Sequence, residues 1–333
     1  MSTAAPGGDG SAGFAGERLL PFWMRWYRSG PPRWADAVGR SGWGRRLLVA
    51  VPFGWLLLFF LAPFLLDLKI SFAEIRLGIP PYTPLLEWGE QQWLRVNVSL
   101  QNYAFLFTDS LYLDTYLYSL KVALVSTVLC LLLGYPMALG IARSPPARRN
   151  LLLMLVILPF WTSFLLRVYA WIGLLRNNGV INNLLLAAGW IDEPIQMLQT
   201  DYSIYIGIVY SYLPFMILPL YANLEKHDRT LLEAAADLGA TPARAFLRVT
   251  LPLSWPGIAA GSLLVFIPVV GEYVIPSLMG RPDQLMIGRV LSDEFYANRD
   301  WPVASAVAVI MLLLLLVPIM LFRRLQDRRE AQA

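Results

Sequence analysis

The chain has very few of the side chains on which catalytic and metal sites depend. Its 333 residues include one cysteine, Cys130, and one histidine, His227. A single cysteine excludes an internal disulfide and a multi-cysteine metal site, and a single histidine leaves little material for acid–base relays or metal binding. Charged residues make up only 15% of the chain, against about 25% in an average soluble domain. This deficit excludes a disordered protein, a nucleic-acid-binding domain and almost any ordinary soluble enzyme.

In place of charged residues the chain contains long apolar runs, and hydrophobic residues make up 57% of it. A helix needs about 20 apolar residues to cross roughly 30 Å of hydrocarbon. The sequence therefore predicts an all-α integral membrane protein with six transmembrane helices. The six predicted spans are residues 47–66, 117–141, 151–175, 204–224, 257–279 and 303–322.

The distribution of lysine and arginine predicts the orientation of these spans. With the N-terminus inside, the inside segments hold 18 of these residues and the outside segments hold 7. Cytoplasmic loops carry the excess of positive charge, so both termini are predicted to be cytoplasmic. The expected organisation is an N-terminal tail over residues 1–46, a six-span domain over 47–324 and a C-terminal tail over 325–333. Within the first tail, residues 19–34 mix aromatic residues with arginines, which fits either a segment in the headgroup region or a disordered tail.

The predicted inside segment 225–256 has the composition of a folded helix pair. Thr230, followed three residues later by Glu233, predicts a capping box at the start of a short helix. Gly239 permits the left-handed conformation that ends such a helix. Thr241, directly before a proline, can start the next helix. The sequence therefore predicts a short helical elbow, which suits a contact with a partner protein.

A pattern in this segment resembles the signature loop of permease subunits in type I ABC importers. The pattern is Glu-Ala-Ala, three residues, Gly, nine residues, an aliphatic residue, any residue, and Leu-Pro. The matching residues here are Glu233, Ala234, Ala235, Gly239, Leu251 and Pro252. In that family the loop is a coupling helix that sits in a cleft of the ATP-hydrolysing subunit, so the resemblance implies an ATPase-coupling role for these six residues. The alternative interpretation is a simple amphipathic hairpin.

The resemblance extends over most of the chain. Residues 158–171 look like the third span of polyamine permeases, and residues 271–276 and 298–306 look like the putrescine-specific branch. The resemblance implies the type I permease fold and a permease subunit of an ATP-driven importer in the bacterial inner membrane. Putrescine is the expected substrate, with spermidine or another small amine as the alternative. The implied partners are a second homologous permease, two ATPase subunits and a periplasmic polyamine-binding protein.

The chain lacks the sequence that would bind ATP. A phosphate-binding Walker loop requires Gly-Lys, whereas the three lysines follow leucine, leucine and glutamate. We therefore expect no catalytic residue, metal or cofactor on this chain, and ATP with magnesium on the partner ATPase.

Three charged residues inside predicted spans, Lys121, Arg167 and Glu272, need a role, because a charge at mid-bilayer costs about 2.5–3.5 kcal/mol. Helix rise places Arg167 and Glu272 about 22–24 Å above the inner ends of their spans. One hypothesis is that Glu272 faces the substrate pathway and attracts an ammonium group. Four aromatic residues are candidates for cation–π contacts with that group: Tyr273, Tyr169, Trp161 and Trp171. The alternatives are an ion pair between Glu272 and Arg167, which fixes span packing or closes an outer gate, and snorkelling to the interface.

Two other classes of protein are weaker interpretations. An ion-coupled secondary transporter predicts carboxylates near the bilayer midplane, whereas Glu272 is expected near the outer edge. A membrane-embedded enzyme requires clustered nucleophiles, metal ligands or acid–base pairs, which one histidine and one cysteine make difficult.

Overall fold

A computed structural model describes residues 42–88, 94–228 and 230–330, and most of this part of the chain is helical. The first helices are α1 (Gly42–Leu56), α2 (Ala62–Ser71), α3 (Gln101–Thr108), α4 (Ser110–Arg143), α5 (Pro146–Ile157), α6 (Phe164–Leu175), α7 (Val180–Ala187) and α8 (Asp201–Leu224). They are followed by α9 (Thr230–Asp237), α10 (Pro242–Ala245), α11 (Leu251–Leu253), α12 (Trp255–Val270), α13 (Val274–Met279), α14 (Ile287–Tyr296) and α15 (Trp301–Glu330). The remaining elements are two π-helical turns, a 3₁₀ turn and two strands: Leu57–Leu61, Phe246–Thr250, Leu158–Trp161, β1 (Leu86–Trp88) and β2 (Leu94–Val96).

The chain divides into two compact units, Met1–Leu66 and Asp67–Ala333. Residues 1–41, which include the predicted interfacial segment, lie outside the described residues. The second unit contains every residue of both candidate functional sites.

Four helices are long and apolar enough to cross a membrane: Leu48–Ser71, Ser110–Arg143, Asp201–Leu224 and Trp301–Met320. Two further helix pairs pass the same test together but are sharply bent: Pro146–Trp161 with Phe164–Ala187, by 91°, and Pro242–Leu253 with Trp255–Val270, by 63°. The prediction of a predominantly helical, multi-span protein is therefore confirmed. The number of spans rises to six when each bent pair is counted as one crossing.

Between α2 and α3 the helical chain also forms one short hairpin, which the sequence did not predict. There β1 pairs antiparallel with β2, and the register places Glu87 opposite Arg95. Each strand alternates an apolar residue, a charged residue and an apolar residue, which is the period-2 pattern of a strand. Three residues are too short a run for that pattern to stand out within the long segment between α2 and α3.

Two predicted spans are broken rather than continuous. The predicted span 151–175 passes through the 3₁₀ turn at Leu158–Trp161 and bends before α6. Pro159 lies in this turn, and proline removes a backbone donor from a helix. The predicted span 257–279 ends its first helix at Val270 and resumes at Val274.

Two helices extend beyond the spans predicted for them. Helix α4 begins at Ser110, because the Asp109 side chain caps it by accepting a hydrogen bond from the amide of Leu111 at 2.9 Å. Helix α15 begins at Trp301 and runs to Glu330. The predicted C-terminal tail from residue 325 therefore begins within a helix.

Helices α4, α8 and α12 pack closely around a buried core. A Cβ added at Gly261 of α12 would lie 2.8 Å from Met216 Sδ of α8, and one added at Gly257 would lie 2.7 Å from Asn223 Cβ. Small residues at such positions let helix backbones approach. This packing holds the N-terminal half of α12 against α8.

Candidate functional sites

We call residues 228–254 the elbow. Its first arm is α9, and its second arm runs from α10 through α11. At its start, Asp228 Oδ1 accepts a hydrogen bond from the backbone amide of Thr230 at 3.0 Å. This bond holds the pKa of the Asp228 carboxyl below its ordinary value, because it stabilises the charged form. The predicted cap is therefore misplaced by two residues: Thr230 already belongs to α9, and Asp228 accepts from its amide.

The end of α9 has the geometry that its glycine predicts. Gly239 has a φ of +78°, which is the left-handed region that favours glycine. The amide of Ala240 donates to the carbonyl of Ala235 at 2.9 Å, and the amide of Gly239 donates to that of Ala236 at 2.8 Å. These two bonds form a Schellman motif. The left-handed conformation of Gly239 therefore sets the turn between the two arms of the elbow.

The second arm of the elbow is anchored on α4. It begins where Thr241 Oγ1 accepts from the amide of Arg244 at 3.4 Å, as predicted. At its far end the hydroxyls of Ser254 and Tyr135 are hydrogen-bonded at 2.8 Å. The Tyr135 ring also packs edge-on against Phe246, with centroids 5.6 Å apart. The start of this arm is therefore capped internally, whereas Phe246 and Ser254 tie the rest of it to α4.

The six motif residues divide into an exposed group and a packed group. Glu233, Ala234, Gly239 and Pro252 are exposed, and Ala235 and Leu251 are half-buried. Leu251 packs against the hydrophobic core, so it holds the elbow in place. Outside the motif, Leu238 is 89% exposed and Leu231 is 46% exposed. The motif pattern missed this apolar surface, although a leucine directly before the helix-ending glycine was a signal for it.

The second candidate site lies at the break between α12 and α13. Glu272 is buried within this break, with 7% of its surface exposed. Its Oε1 accepts hydrogen bonds from the amides of Val274 at 3.0 Å and Ile275 at 3.3 Å, and its Oε2 accepts one from the hydroxyl of Tyr212. The carboxylate therefore caps α13 and links it to α8.

Close backbone packing supports the break from the opposite side. A Cβ added at Gly288, near the start of α14, would lie 2.3 Å from the carbonyl oxygen of Gly271 and 3.0 Å from that of Glu272. Contacts this short are forbidden to any side chain. Gly288 therefore allows α14 to lie directly against the backbone that carries the carboxylate.

A chain of aromatic rings leads from Glu272 to Arg167. The rings of Tyr212 and Phe215 have centroids 6.0 Å apart, and those of Phe215 and Phe160 are 5.1 Å apart. The guanidinium carbon of Arg167 lies 5.2 Å from the centre of the Phe160 ring. Among the described residues the ion pairs are Arg149–Glu225, Arg281–Asp283 and Arg289–Asp293, so Glu272 and Arg167 do not form the pair considered from the sequence.

The four predicted aromatic residues differ in exposure and in packing. Tyr273 follows Glu272 in the break and is 44% exposed, whereas Trp161 and Tyr169 are 79% and 56% exposed. Trp171 is half-buried and packs against the ring of Tyr210 at 5.4 Å. The ring that contacts the carboxylate is Tyr212, which sequence reasoning missed because it lies 60 residues from Glu272.

Apolar helices of spanning length, with two bent helix pairs and one break capped by a buried carboxylate, are typical of membrane proteins of the transporter class. The sequence profile of the family described as "Binding-protein-dependent transport system inner membrane component" matches residues 130–332. The chain belongs to this family. It is therefore a multi-pass inner membrane protein and a permease subunit rather than an enzyme.

Two relatives match nearly their whole length to this chain. The spermidine/putrescine transport system permease protein PotB of Haemophilus influenzae is 40% identical over 280 residues, which are 84% of this chain and 93% of that protein. The PotB protein of Escherichia coli is 41% identical over 268 residues, which are 79% of this chain and 92% of the relative.

A solved structure shares the fold. A chain of the bacterial alginate ABC transporter, in complex with an alginate pentasaccharide-bound periplasmic protein, superposes with a TM-score of 0.62 at 19% sequence identity. The match covers 92% of this chain and 97% of that chain. At this identity the likeness shows the fold of an ABC importer permease alone.

Proposed function

We propose that this chain is the permease subunit of an ATP-driven polyamine importer and forms half of its translocation pathway. The observation that carries the proposal is the 39–41% identity to spermidine/putrescine permeases over about four fifths of the chain. The names of these relatives include both amines, so either putrescine or spermidine is a candidate substrate. The putrescine-like stretches at residues 271–276 and 298–306 favour putrescine.

The experiment is uptake by the complete importer in vesicles that contain ATP on the cytoplasmic side. Labelled putrescine is supplied with spermidine as competitor, and then the labels are exchanged. We expect ATP-dependent uptake with tighter competition by putrescine, and a non-hydrolysable ATP analogue is the control. Tighter competition by spermidine contradicts the putrescine assignment, and uptake of neither amine contradicts the polyamine assignment.

The proposed assembly contains a second homologous permease, a pair of ATPase subunits and a periplasmic binding protein. We place both termini and the elbow in the cytoplasm, with six spans, because the positive charge bias and the two bent helix pairs fit this arrangement. A cysteine introduced at Asp192, which is exposed between α7 and α8, should react with an impermeant reagent from the outside. Labelling from the cytoplasmic side alone contradicts this topology.

The elbow is the proposed contact with the ATPase. Glu233, Ala234 and Gly239 are exposed on it, beside the apolar side chains of Leu231 and Leu238. An exposed apolar surface on a short, capped helix suits insertion into a cleft of another protein. The half-buried Ala235 and Leu251 support this surface from behind, and Pro252 is exposed on the second arm.

The break at Glu272 is the proposed polar point of the pathway. A buried carboxylate in a hydrophobic layer contributes negative potential, which attracts an ammonium group. The adjacent rings of Tyr212, Phe215 and Phe160 present faces suited to cations, and Tyr273 is exposed in the break. The cation of Arg167 lies at the far end of this ring chain, where it suits an outer gate that repels the substrate until the gate opens.

Replacement of Glu272 by glutamine tests this role. The substitution keeps an oxygen that can accept from the amides of α13, but it removes the negative charge. We expect uptake at low polyamine concentration to fall about tenfold, with little change in the thermal unfolding midpoint. Uptake at wild-type levels in a well-expressed variant would falsify the pathway role.

A further inference from the structure

A cavity of about 540 Å³ lies where the elbow meets the ends of α4, α5 and α8. Its size is within the range of ligand pockets. Arg143, Arg149, Asp228, Glu233 and Thr250 are among its lining residues. Arg143 is the last residue of α4, and the proposed topology places this end of the span at the cytoplasmic boundary of the membrane.

Two buried polar atoms in the cavity wall have no hydrogen-bond partner among the described residues. One is Arg149 Nε and the other is Thr250 Oγ1; Thr250 is only 4% exposed. The other nitrogens of Arg149 are occupied, because Nη1 pairs with Glu225 and Nη2 donates to the carbonyl of Ala142 at 3.4 Å. An arginine Nε–H can only donate, so the missing partner is an acceptor such as an oxyanion.

The charged side chains in the cavity wall indicate a ligand that carries both signs of charge. Arg149 is paired with Glu225, so the remaining charged side chains of the lining are Arg143, Asp228 and Glu233, and His227 lies among them. A simple anion would meet the two carboxylates, and a simple cation would leave the two buried donors unsatisfied. A ligand that carries a phosphate and an ammonium group satisfies both sets of side chains.

We infer that this cavity binds the phosphoethanolamine headgroup of a phosphatidylethanolamine molecule. The phosphate oxygens accept from Arg149 Nε and Thr250 Oγ1 beside Arg143, and the ammonium group faces Asp228 and Glu233. The position at the membrane boundary favours a lipid over a soluble molecule, because the acyl chains remain in the adjacent hydrocarbon. The bound lipid would join the elbow to the ends of the spans. This inference does not depend on which substrate the importer carries.

Native mass spectrometry of the complete importer, purified in detergent, tests the site. Phosphatidylethanolamine, phosphatidylcholine and phosphatidylglycerol with identical acyl chains are added in turn. We expect one tightly retained phosphatidylethanolamine that binds at least tenfold more tightly than either other lipid, since phosphatidylcholine lacks N–H donors and phosphatidylglycerol lacks the ammonium group. Equal retention of phosphatidylcholine or phosphatidylglycerol overturns the inference.

Two variants locate the bound lipid. Thr250→Val removes one donor at nearly constant volume, and we expect about tenfold weaker retention, the effect of losing one hydrogen bond to a charged group. Thr127→Val is the matched control, because Thr127 Oγ1 donates within its own helix to the carbonyl of Ala123 at 2.7 Å. Arg143→Gln, at an exposed position, is a second variant that leaves the core intact and should also weaken retention. Unchanged retention in both site variants, or an equal loss in the control, places the lipid elsewhere.

A soluble competitor distinguishes a lipid headgroup from free phosphoethanolamine in solution. Free phosphoethanolamine at millimolar concentration should leave the lipid bound, because it lacks the acyl chains that contribute to affinity. Displacement of the lipid at that concentration would assign the cavity to a soluble ligand and contradict the lipid assignment.

Discussion

Replacement of Gly239 changes the conformational free energy of the elbow without creating a clash. A Cβ at this position would have nothing within 4 Å, but the residue has a φ of +78°. A non-glycine residue in the left-handed region costs about 1–2 kcal/mol, which is a factor of about 5–30 in an equilibrium constant. Alanine should therefore depopulate the Schellman turn by that factor. Asparagine tolerates this region better, and the β-branched valine tolerates it worst.

The assay measures uptake and ATP hydrolysis on the same vesicles that contain the complete importer. We expect the ratio of uptake to hydrolysis to fall in the order glycine, asparagine, alanine, valine. Gly140→Ala is the matched control, because Gly140 lies inside α4 and also has nothing within 4 Å of its added Cβ. Alanine is favoured there by about 1 kcal/mol, so uptake should be unchanged.

Two results would refute this reasoning. One is a valine variant with the uptake-to-hydrolysis ratio of the wild type, which would mean that the conformation of this turn does not matter to coupling. The other is an equal loss in the Gly140→Ala control, which would mean that any added methyl group disturbs the assembly.

Two substitutions test the support of the broken helix. Gly288→Ala would force its Cβ to within 2.3 Å of the Gly271 carbonyl oxygen, so the thermal unfolding midpoint should fall with a loss of about 1–3 kcal/mol. Gly173→Ala has open space and should leave the midpoint unchanged; equal midpoints for the two variants contradict the packing argument. Tyr212→Phe removes a hydrogen bond to the Glu272 carboxylate, which should lower stability by about 1.5–3 kcal/mol. A denaturant titration that matches the wild type would show that this bond contributes nothing.

Local signals in the sequence predicted the elbow well. Gly239 and Thr241 act within one helical turn of themselves, so their effects follow from their own chemistry. The cap at Asp228 was assigned two residues too late, because aspartate and threonine are both good caps and spacing alone favoured Thr230.

The contacts around Glu272 in the second site join residues that are far apart in the chain, and a single sequence does not reveal them. The intramembrane charge identified Glu272 as a residue with a role, and Gly271 beside it was a signal for the break. The carboxylate's partner, Tyr212, lies 60 residues away and was one of 15 tyrosines. The guanidinium of Arg167 lies against aromatic rings rather than against the carboxylate.

Helix α12 joins the elbow to the break at Glu272 over 16 residues, about 24 Å. Because its backbone hydrogen bonds keep that length constant, a displacement of the elbow reaches the break as a tilt or a rotation rather than an extension. Gly257 and Gly261 lie close against α8, and the latter lies about 9 Å from the elbow end and about 14 Å from the break. If α12 pivots there, a movement at the elbow arrives at Glu272 enlarged by about half and in the opposite direction.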